Sequence, residues 1–147
     1  MNPKPLLFEN RKKLKLAANL YVPLDRAPRF YALFAHCFTC TKNFSTVTQI
    51  CTSLSQQGIA VMSFDFTGLG RSEGEFQDSS FAANISDLND AAAFLEENYQ
   101  APKLLVGHSL GGAAVIYAAS QIYSVEAIAT IAAPAYPAHV KRLFEGK

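Results

Sequence analysis

Four short runs of apolar residues recur along the chain after residue 29, and longer segments of helical periodicity separate them. The runs cover Phe30–Ala35, Ile59–Phe64, residues 104–106 and residues 127–132. Their apolar residues occupy successive positions, which is typical of parallel strands covered by helices on both faces. The alternation of strands and helices predicts an α/β domain with a mostly parallel sheet.

The segments between the runs predict three helices. The apolar face of the first comprises Val47, Ile50, Cys51 and Leu54, and Gly58 suits its C-terminal cap. The apolar face of the second comprises Ile85, Leu88, Ala92 and Leu95. The acidic residues of this second segment are expected mostly on its outer side; they are Asp87, Asp90, Glu96 and Glu97. Residues 110–120, rich in alanine, form the third helix.

The chain before residue 30 has a different character. Residues 6–22 contain two strand-like stretches around a turn at Asn10-Arg11, which predicts an N-terminal β-hairpin. Residues 23–29 hold two prolines and charges of both signs, as in a connecting loop.

Composition fits one packed domain. The chain has 147 residues, of which 50% are hydrophobic and 17% charged, with a formal net charge of +1. A net charge this small does not attract nucleic acid or an anionic membrane electrostatically, so we expect neither partner. The apolar runs are much shorter than the ~20 residues that cross a bilayer.

The three cysteines, Cys37, Cys40 and Cys51, lie within one short stretch. Secreted scaffolds usually carry an even number spread along the chain, so this pattern favours reduced thiols and a cytoplasmic location. The spacing of Cys37 and Cys40 also occurs in redox pairs, but we expect two buried thiols.

The third apolar run leads into Gly107-x-Ser109-x-Gly111, a pattern that places a serine on a sharp strand-to-helix turn. The side chain at the apex projects away from the sheet, and the glycines fit against adjacent backbone because they lack a Cβ atom. The backbone N–H of Leu110 lies at a helix N-terminus, where it can face a developing oxyanion. These features make Ser109 a candidate nucleophile.

Two further loops follow the first two runs. The loop after the first run begins with His36-Cys37-Phe38. The loop after the second run comprises residues 65–74, with the sequence Asp-Phe-Thr-Gly-Leu-Gly-Arg-Ser-Glu-Gly. With the Ser109 turn, these loops resemble those of the α/β-hydrolase superfamily, from about residue 14 to the C-terminus. The cysteines after the first run look most like those in the hydrolase half of α/β-hydrolase–OsmC fusion proteins.

The resemblance implies an α/β-hydrolase fold, a small-molecule acyl substrate, and no cofactor or metal. Carried onto this sequence, it makes Ser109 the nucleophile and the backbone N–H groups of Phe38 and Leu110 the oxyanion hole. Two positions depart from the family pattern: Cys37 replaces the usual glycine, and Thr67 replaces the usual arginine. The likeness to fusion proteins implies a peroxide-reducing OsmC-type domain further along the natural protein.

Other chemistries fit the sequence less well. His36 and Asp65 are expected to fix their loops, not to act as base and acid. His36, Cys37 and Cys40 are too few and too close together for a tetrahedral zinc site. The glycines of residues 68–74 miss the dinucleotide-binding pattern by one residue.

In this fold a serine nucleophile is followed by an acid and then by a histidine. Glu126 precedes the last run, so it lies at the wrong end of a parallel sheet. Glu145 follows His139 and reverses the order, whereas His139 is a minor candidate for the base. We expect the catalytic acid and histidine beyond residue 147.

The last run, residues 127–132, is mostly apolar and uncharged, which suits an interior strand. As the final strand it forms an exposed edge that invites pairing. We therefore expect residues 1–147 to be the N-terminal portion of a single α/β-hydrolase domain, C-terminally incomplete because it lacks the last strands. A missing C-terminal segment or a second copy in a homo-oligomer then covers the edge.

The favoured function is that of a serine hydrolase acting on an ester, thioester or amide through an acyl-enzyme. The alternative is a non-catalytic or degenerate α/β-hydrolase-like module with an interaction role. What separates the two is whether Ser109 reacts as a nucleophile.

Overall fold

The computed structural model describes residues 2–37 and 42–136, which form one six-stranded sheet and its helices. The strands are β1 (Lys4–Glu9), β2 (Lys15–Tyr21), β3 (Phe30–Ala35), β4 (Ile59–Phe64), β5 (Pro102–His108) and β6 (Ala127–Ile131). The helices are α1 (Ser45–Gln56), α2 (Phe81–Asn98) and α3 (Leu110–Ala119), with a short 3₁₀-helix at Phe76–Asp78.

The strand order is β1-β2-β4-β3-β5-β6. Strands β4, β3, β5 and β6 pair in parallel, whereas β1 and β2 form an antiparallel hairpin that joins the sheet through β4. This arrangement confirms the predicted α/β fold with a mostly parallel sheet. Because parallel strands end at the same edge, the segments after β3, β4 and β5 meet there.

Helices cover both faces of the sheet. On one face, Leu33 and Met62 pack in a core that includes Leu88 of α2 and Val115 of α3. On the other, Phe34 belongs to a smaller core formed with α1; this core comprises Tyr21, Ala32, Phe34, Val47, Cys51, Val61 and Val106. Alternate side chains of β3 thus enter different cores, which explains its continuous apolar run.

The helix ends follow the expected chemistry. Helix α1 is capped by Gln57, and the next residue, Gly58, has a φ of +88°, a conformation that glycine adopts without a Cβ clash. Ser80 caps α2 by accepting a hydrogen bond from the Ala83 N–H at 3.0 Å.

Strand β6 forms an edge of the sheet, as expected for the last strand within these 147 residues. It is the last strand in the sheet order, and all five of its residues are exposed. Ile128 and Ile131 are 42% and 41% exposed, so apolar groups on both faces of the strand lie open. Strand β6 pairs with β5 and lies near α3, yet all of its residues stay exposed, although its apolar and uncharged composition suits an interior strand.

The expected outward position of Asp87 is wrong. This residue is 2% exposed, although its neighbours on the α2 surface are charged and polar. It is buried because the hairpin turn and the segment after β4 fold over it, as the hydrogen bonds described below show.

Within residues 2–37 and 42–136, every helix is too short or too polar to span a membrane.

Candidate active site

Ser109 lies at the apex of the turn between β5 and α3. Its backbone has a φ of 54° and a ψ of −123°, a conformation that a non-glycine residue adopts only at a cost in free energy. Its N–H donates a 2.8 Å hydrogen bond to the carbonyl oxygen of Ile131. Ser109 is half-exposed, so the turn presents it at the carboxyl edge of the sheet.

The glycines on either side of Ser109 are required by close backbone contact. A Cβ atom at Gly107 would lie 2.5 Å from the carbonyl oxygen of Gly111 and from the Cα of Gly112. A Cβ atom at Gly111 would lie 2.3 Å from the carbonyl oxygen of Ala35, at the end of β3. The Gly-x-Ser-x-Gly spacing therefore follows from how tightly this turn packs on itself and on β3.

The backbone of Leu110 offers a hydrogen-bond donor next to Ser109. Leu110 is the first residue of α3, so its N–H has no acceptor within the helix, and the helix dipole is positive at this end. Its side chain is buried. The other predicted oxyanion donor, Phe38, lies outside the described residues, as do His139 and Glu145.

His36 is buried at the end of β3. Its Nδ1 donates to the Cys37 carbonyl at 2.7 Å, because a carbonyl oxygen can only accept. The other ring nitrogen, Nε2, lies 3.5 Å from Oδ1 of Asp65. The ring also meets Phe66 edge-on, with centroids 5.3 Å apart. These contacts bind His36 to its own loop and to the segment after β4.

Asp65 is the centre of a buried polar cluster. Its Oδ1 accepts the Lys42 N–H at 2.7 Å, and its Oδ2 accepts the Arg71 N–H at 3.1 Å. The Nζ atom of Lys42 lies 3.5 Å from Oδ2, and both side chains are buried. Burial is the largest single effect on the pKa of Asp65 and raises it, but the surrounding hydrogen bonds and the Lys42 charge together hold that pKa below its ordinary value.

The participation of Lys42 is not evident from the sequence. It lies in a short polar stretch with no helical or strand periodicity, and its partner is 23 residues away. A lysine soon after the motif that follows β3 is the only signal, and it is a weak one.

A second buried carboxylate, Asp87, joins three elements. It accepts the Thr67 N–H at 2.8 Å and the Asn10 side-chain amide at 3.1 Å. The same Asn10 amide donates to Thr67 Oγ1 at 3.1 Å. Burial is the largest effect here too and raises the pKa of Asp87, although these hydrogen bonds oppose it. Thr67, which replaces the usual arginine, thus takes part in a hydrogen-bond network between the hairpin, the segment after β4, and α2.

The two cysteines whose positions are described differ, whereas Cys40 lies outside the described residues. Cys51 is a free thiol in α1, and burial raises its pKa to about 12, so it stays protonated and unreactive. Cys37 is disulfide-bonded, which makes the expectation of two buried thiols wrong for this residue. The cytoplasmic location stays a prediction.

Glu126 lies far from Ser109, at the amino end of β6. Its N–H donates to the Lys103 carbonyl at 2.8 Å, and its carboxylate forms an exposed ion pair with the Lys103 side chain at 3.4 Å. Among the residues whose positions are described, no group of three or more His, Cys, Asp or Glu side chains is arranged to hold a metal ion.

Solved structures of α/β hydrolases share this fold. The esterase domain of a Rhodothermus marinus protein is 50% identical and has a TM-score of 0.79; the match covers 96% of this chain and 54% of that one. The α/β hydrolase GrgF from Penicillium sp. sh18 is 23% identical with a TM-score of 0.80, over 90% of this chain and 46% of that one.

A third structure, XC6422 from Xanthomonas campestris, is an α/β serine hydrolase without a lid. It is 21% identical with a TM-score of 0.79, over 92% of this chain and 63% of that one. The chain thus spans about half to two thirds of the length of these relatives.

No curated protein sequence matches the chain. The family model for serine aminopeptidases of the S33 group matches residues 33–145, most of the chain. This span runs from within β3 through the Ser109 turn and past β6. The chain therefore belongs to this family of α/β hydrolases.

Proposed function

We propose that Ser109 is the nucleophile of a serine hydrolase that cleaves an ester, thioester or amide through an acyl-enzyme. The observation that carries the proposal is the backbone of Ser109, with a φ of 54° at the junction of a strand and a helix. Strain of this kind persists where the surrounding structure enforces it, and it is often found at functional sites. In this interpretation the turn is a nucleophile elbow.

The proposed reaction begins when Oγ of Ser109 attacks the substrate carbonyl and loses its proton to a general base. The carbonyl oxygen becomes an oxyanion that accepts the Leu110 N–H and, by the family resemblance, the N–H of Phe38. The leaving group departs with a proton from the base, and water then cleaves the acyl-enzyme by the same route. Loss of one such donor typically costs about 3–4 kcal/mol of transition-state stabilisation.

The base and the acid that orients it complete this proposal. In α/β hydrolases both follow the serine along the chain, in the order Ser, Asp or Glu, His. The relatives with solved structures extend well beyond the matched region. We therefore propose that these two residues follow residue 147 in the natural protein.

The substrate class that fits best is a small-molecule ester. The domain from Rhodothermus marinus, 50% identical, is an esterase domain, which favours ester over amide cleavage here. Two cavities of about 220 and 250 Å³ in the described parts of the chain lie beside α2, and Ser109 lines neither of them. We propose that further chain contributes to the acyl pocket.

A serine-reactive fluorophosphonate tests the proposal. The natural protein is incubated with the probe, and the modified peptide is identified by mass spectrometry. We expect modification at Ser109 and its loss in Ser109→Ala. The matched control is Ser120→Ala at the other end of α3, where the hydroxyl donates to the Tyr117 carbonyl and takes no part in the proposed reaction.

The two outcomes separate the two functions. Modification confined to Ser109 and unaffected in the Ser120→Ala variant supports the hydrolase. An unmodified Ser109 in correctly folded natural protein contradicts the proposal and favours a non-catalytic module with an interaction role.

A further inference from the structure

The carboxylate of Asp65 contacts the chain at two places after β3, first at His36 and then at Lys42. The His36 ring lies 3.5 Å from Oδ1. Lys42 contributes both its backbone N–H and its ammonium group, at 2.7 and 3.5 Å. One side chain, directly after β4, therefore contacts His36 and Lys42, two residues of the chain that follows β3.

The end of β3 in turn packs directly against the turn that carries Ser109. The carbonyl oxygens of Ala35 and His36 lie 2.3 and 2.5 Å from where a Cβ atom of Gly111 would be. Gly111 is two residues from Ser109 and shares the first turn of α3 with Leu110. A displacement of His36 is therefore transmitted to the candidate nucleophile through backbone contact.

A buried ion pair is not by itself evidence of a role in stability. Replacing a buried ion pair with apolar side chains is often neutral or stabilising. A carboxylate differs because it accepts hydrogen bonds from several directions at once, here from Lys42 and Arg71. The backbone at Gly70 also approaches this carboxylate closely, because a Cβ atom there would lie 2.4 Å from Oδ2 of Asp65.

We propose that Asp65 is a positioning residue for hydrolysis at Ser109, an inference that rests on the proposed function. It contacts His36 at the end of β3, which packs against the turn that carries Ser109 and Leu110, and it binds Lys42 further along the chain. Donors that are already in place when the oxyanion forms stabilise the transition state most, because no reorganisation is needed. Asp65 itself touches no reacting atom.

The variant Asp65→Asn tests this role because it keeps the shape and changes the hydrogen bonding. An amide has one acceptor oxygen and one donor NH₂ group, so it cannot accept from both Lys42 and Arg71. Asp87→Asn is the matched control. Asp87 is also a buried carboxylate that accepts a backbone N–H, but it joins α2 to Thr67 and Asn10, not to the end of β3.

The experiment uses the natural protein with p-nitrophenyl acetate as substrate. The fluorophosphonate titrates active sites, and a boronic acid that forms a tetrahedral adduct with serine reports on the oxyanion donors. For Asp65→Asn we expect kcat per titrated site to fall about 10- to 100-fold while KM changes by less than about twofold. The affinity for the boronic acid falls by a similar factor. For Asp87→Asn we expect a lower Tm with kcat per site within about twofold of wild type.

Wild-type kcat and boronic acid affinity per titrated site in Asp65→Asn, with only Tm reduced, would overturn the inference. Absence of any reaction between the wild type and the fluorophosphonate refutes the proposed function instead, so the two failures are distinguishable.

If Asp65→Asn does not fold, the double variant Asp65→Asn/Lys42→Met removes the ammonium that the single change leaves unpaired. We expect Tm to recover while kcat per site stays low. Joint recovery of Tm and kcat would show that Asp65 serves stability alone.

Discussion

The N–H of Ser109 donates a 2.8 Å hydrogen bond to the carbonyl oxygen of Ile131, the last residue of β6. The strained turn is thus tied to a strand whose residues are all exposed. The next residue, Ala132, has a φ of 52°, so the chain turns sharply as it leaves that strand. The position of β6 therefore also affects the backbone of the candidate nucleophile.

The 147-residue chain purified alone is expected to self-associate. Its edge strand carries unpaired backbone groups together with the exposed side chains of Ile128 and Ile131, a surface suited to pairing with another chain. Ile128→Lys should shift the population toward monomer, as measured by size-exclusion chromatography with light scattering. Leu24→Lys, an exposed apolar residue in a loop, is the control that leaves association unchanged. A monomer at all concentrations contradicts the prediction.

Ser109→Gly is expected to stabilise the fold while it abolishes hydrolysis. Glycine adopts a φ of 54° without strain, and the Ser109 side chain makes no capping hydrogen bond that would be lost. Relief of the backbone strain raises the free energy of unfolding, whereas the larger entropy of glycine in the unfolded chain lowers it. We expect a net gain of about 1 kcal/mol in the free energy of unfolding.

Ser109→Ala is the matched control for that gain. It removes the same hydroxyl but keeps a Cβ atom in the strained conformation, so it lacks the relief that glycine provides. Urea unfolding of both variants measures the difference. Equal stabilities would show that the backbone of Ser109 is unstrained.

Gly111→Ala should damage both stability and activity. The added Cβ atom would meet the Ala35 carbonyl oxygen at 2.3 Å, and backbone cannot move aside cheaply. We expect a loss of about 1–3 kcal/mol in the free energy of unfolding and a fall in kcat as α3 shifts from β3. Ser120→Ala, in the same helix, should change stability by less than about 0.5 kcal/mol. Wild-type values for Gly111→Ala would show that this contact is not tight.

Much of this arrangement was predictable from local sequence. The ends of β3 and β4 coincide with the predicted runs, because continuous apolar stretches bounded by polar loops define buried parallel strands. The Ser109 turn was indicated by glycine spacing and by the change from strand to helix. Strand β5 is longer than its predicted core, residues 104–106, because Pro102, Gly107 and His108 also pair with neighbouring strands.

The polar clusters were not predictable in the same way. Asp87 is buried by Asn10, which is 77 residues away, and by Thr67, which is 20 residues away. Helical periodicity within α2 contains no information about these partners, so an acidic residue there is interpreted as exposed. The position of Lys42 likewise depends on its contacts with Asp65, 23 residues away, and not on the residues next to it in the sequence. Such contacts depend on how separate elements are brought together.

The two buried carboxylates are expected to affect stability in opposite directions as the pH falls. Asp65 has a pKa below its ordinary value of 3.8, so its stabilising contribution is complete above that value and is lost as the pH falls through the folded pKa. The advantage of wild type over Asp65→Asn in the free energy of unfolding should therefore be constant at higher pH and shrink below about pH 3.8.

Asp87 has a pKa above 3.8, so its charge costs stability at neutral pH, and that cost disappears as the pH falls through the folded value. The wild type should therefore gain stability relative to Asp87→Asn on acidification from neutral pH toward 3.8. Urea unfolding of the three proteins at several pH values measures both trends. Parallel pH dependences for the two variants would contradict the assigned shifts.

The most direct test of the central claim is the mass of the natural protein during turnover. It is mixed with p-nitrophenyl acetate, quenched in acid within the first turnover and digested for peptide mass spectrometry. We predict one acetyl group on Ser109, formed as p-nitrophenolate is released and absent from Ser109→Ala. Release of p-nitrophenolate that depends on the enzyme but leaves Ser109 unmodified, or that persists in Ser109→Ala, would contradict its role as nucleophile.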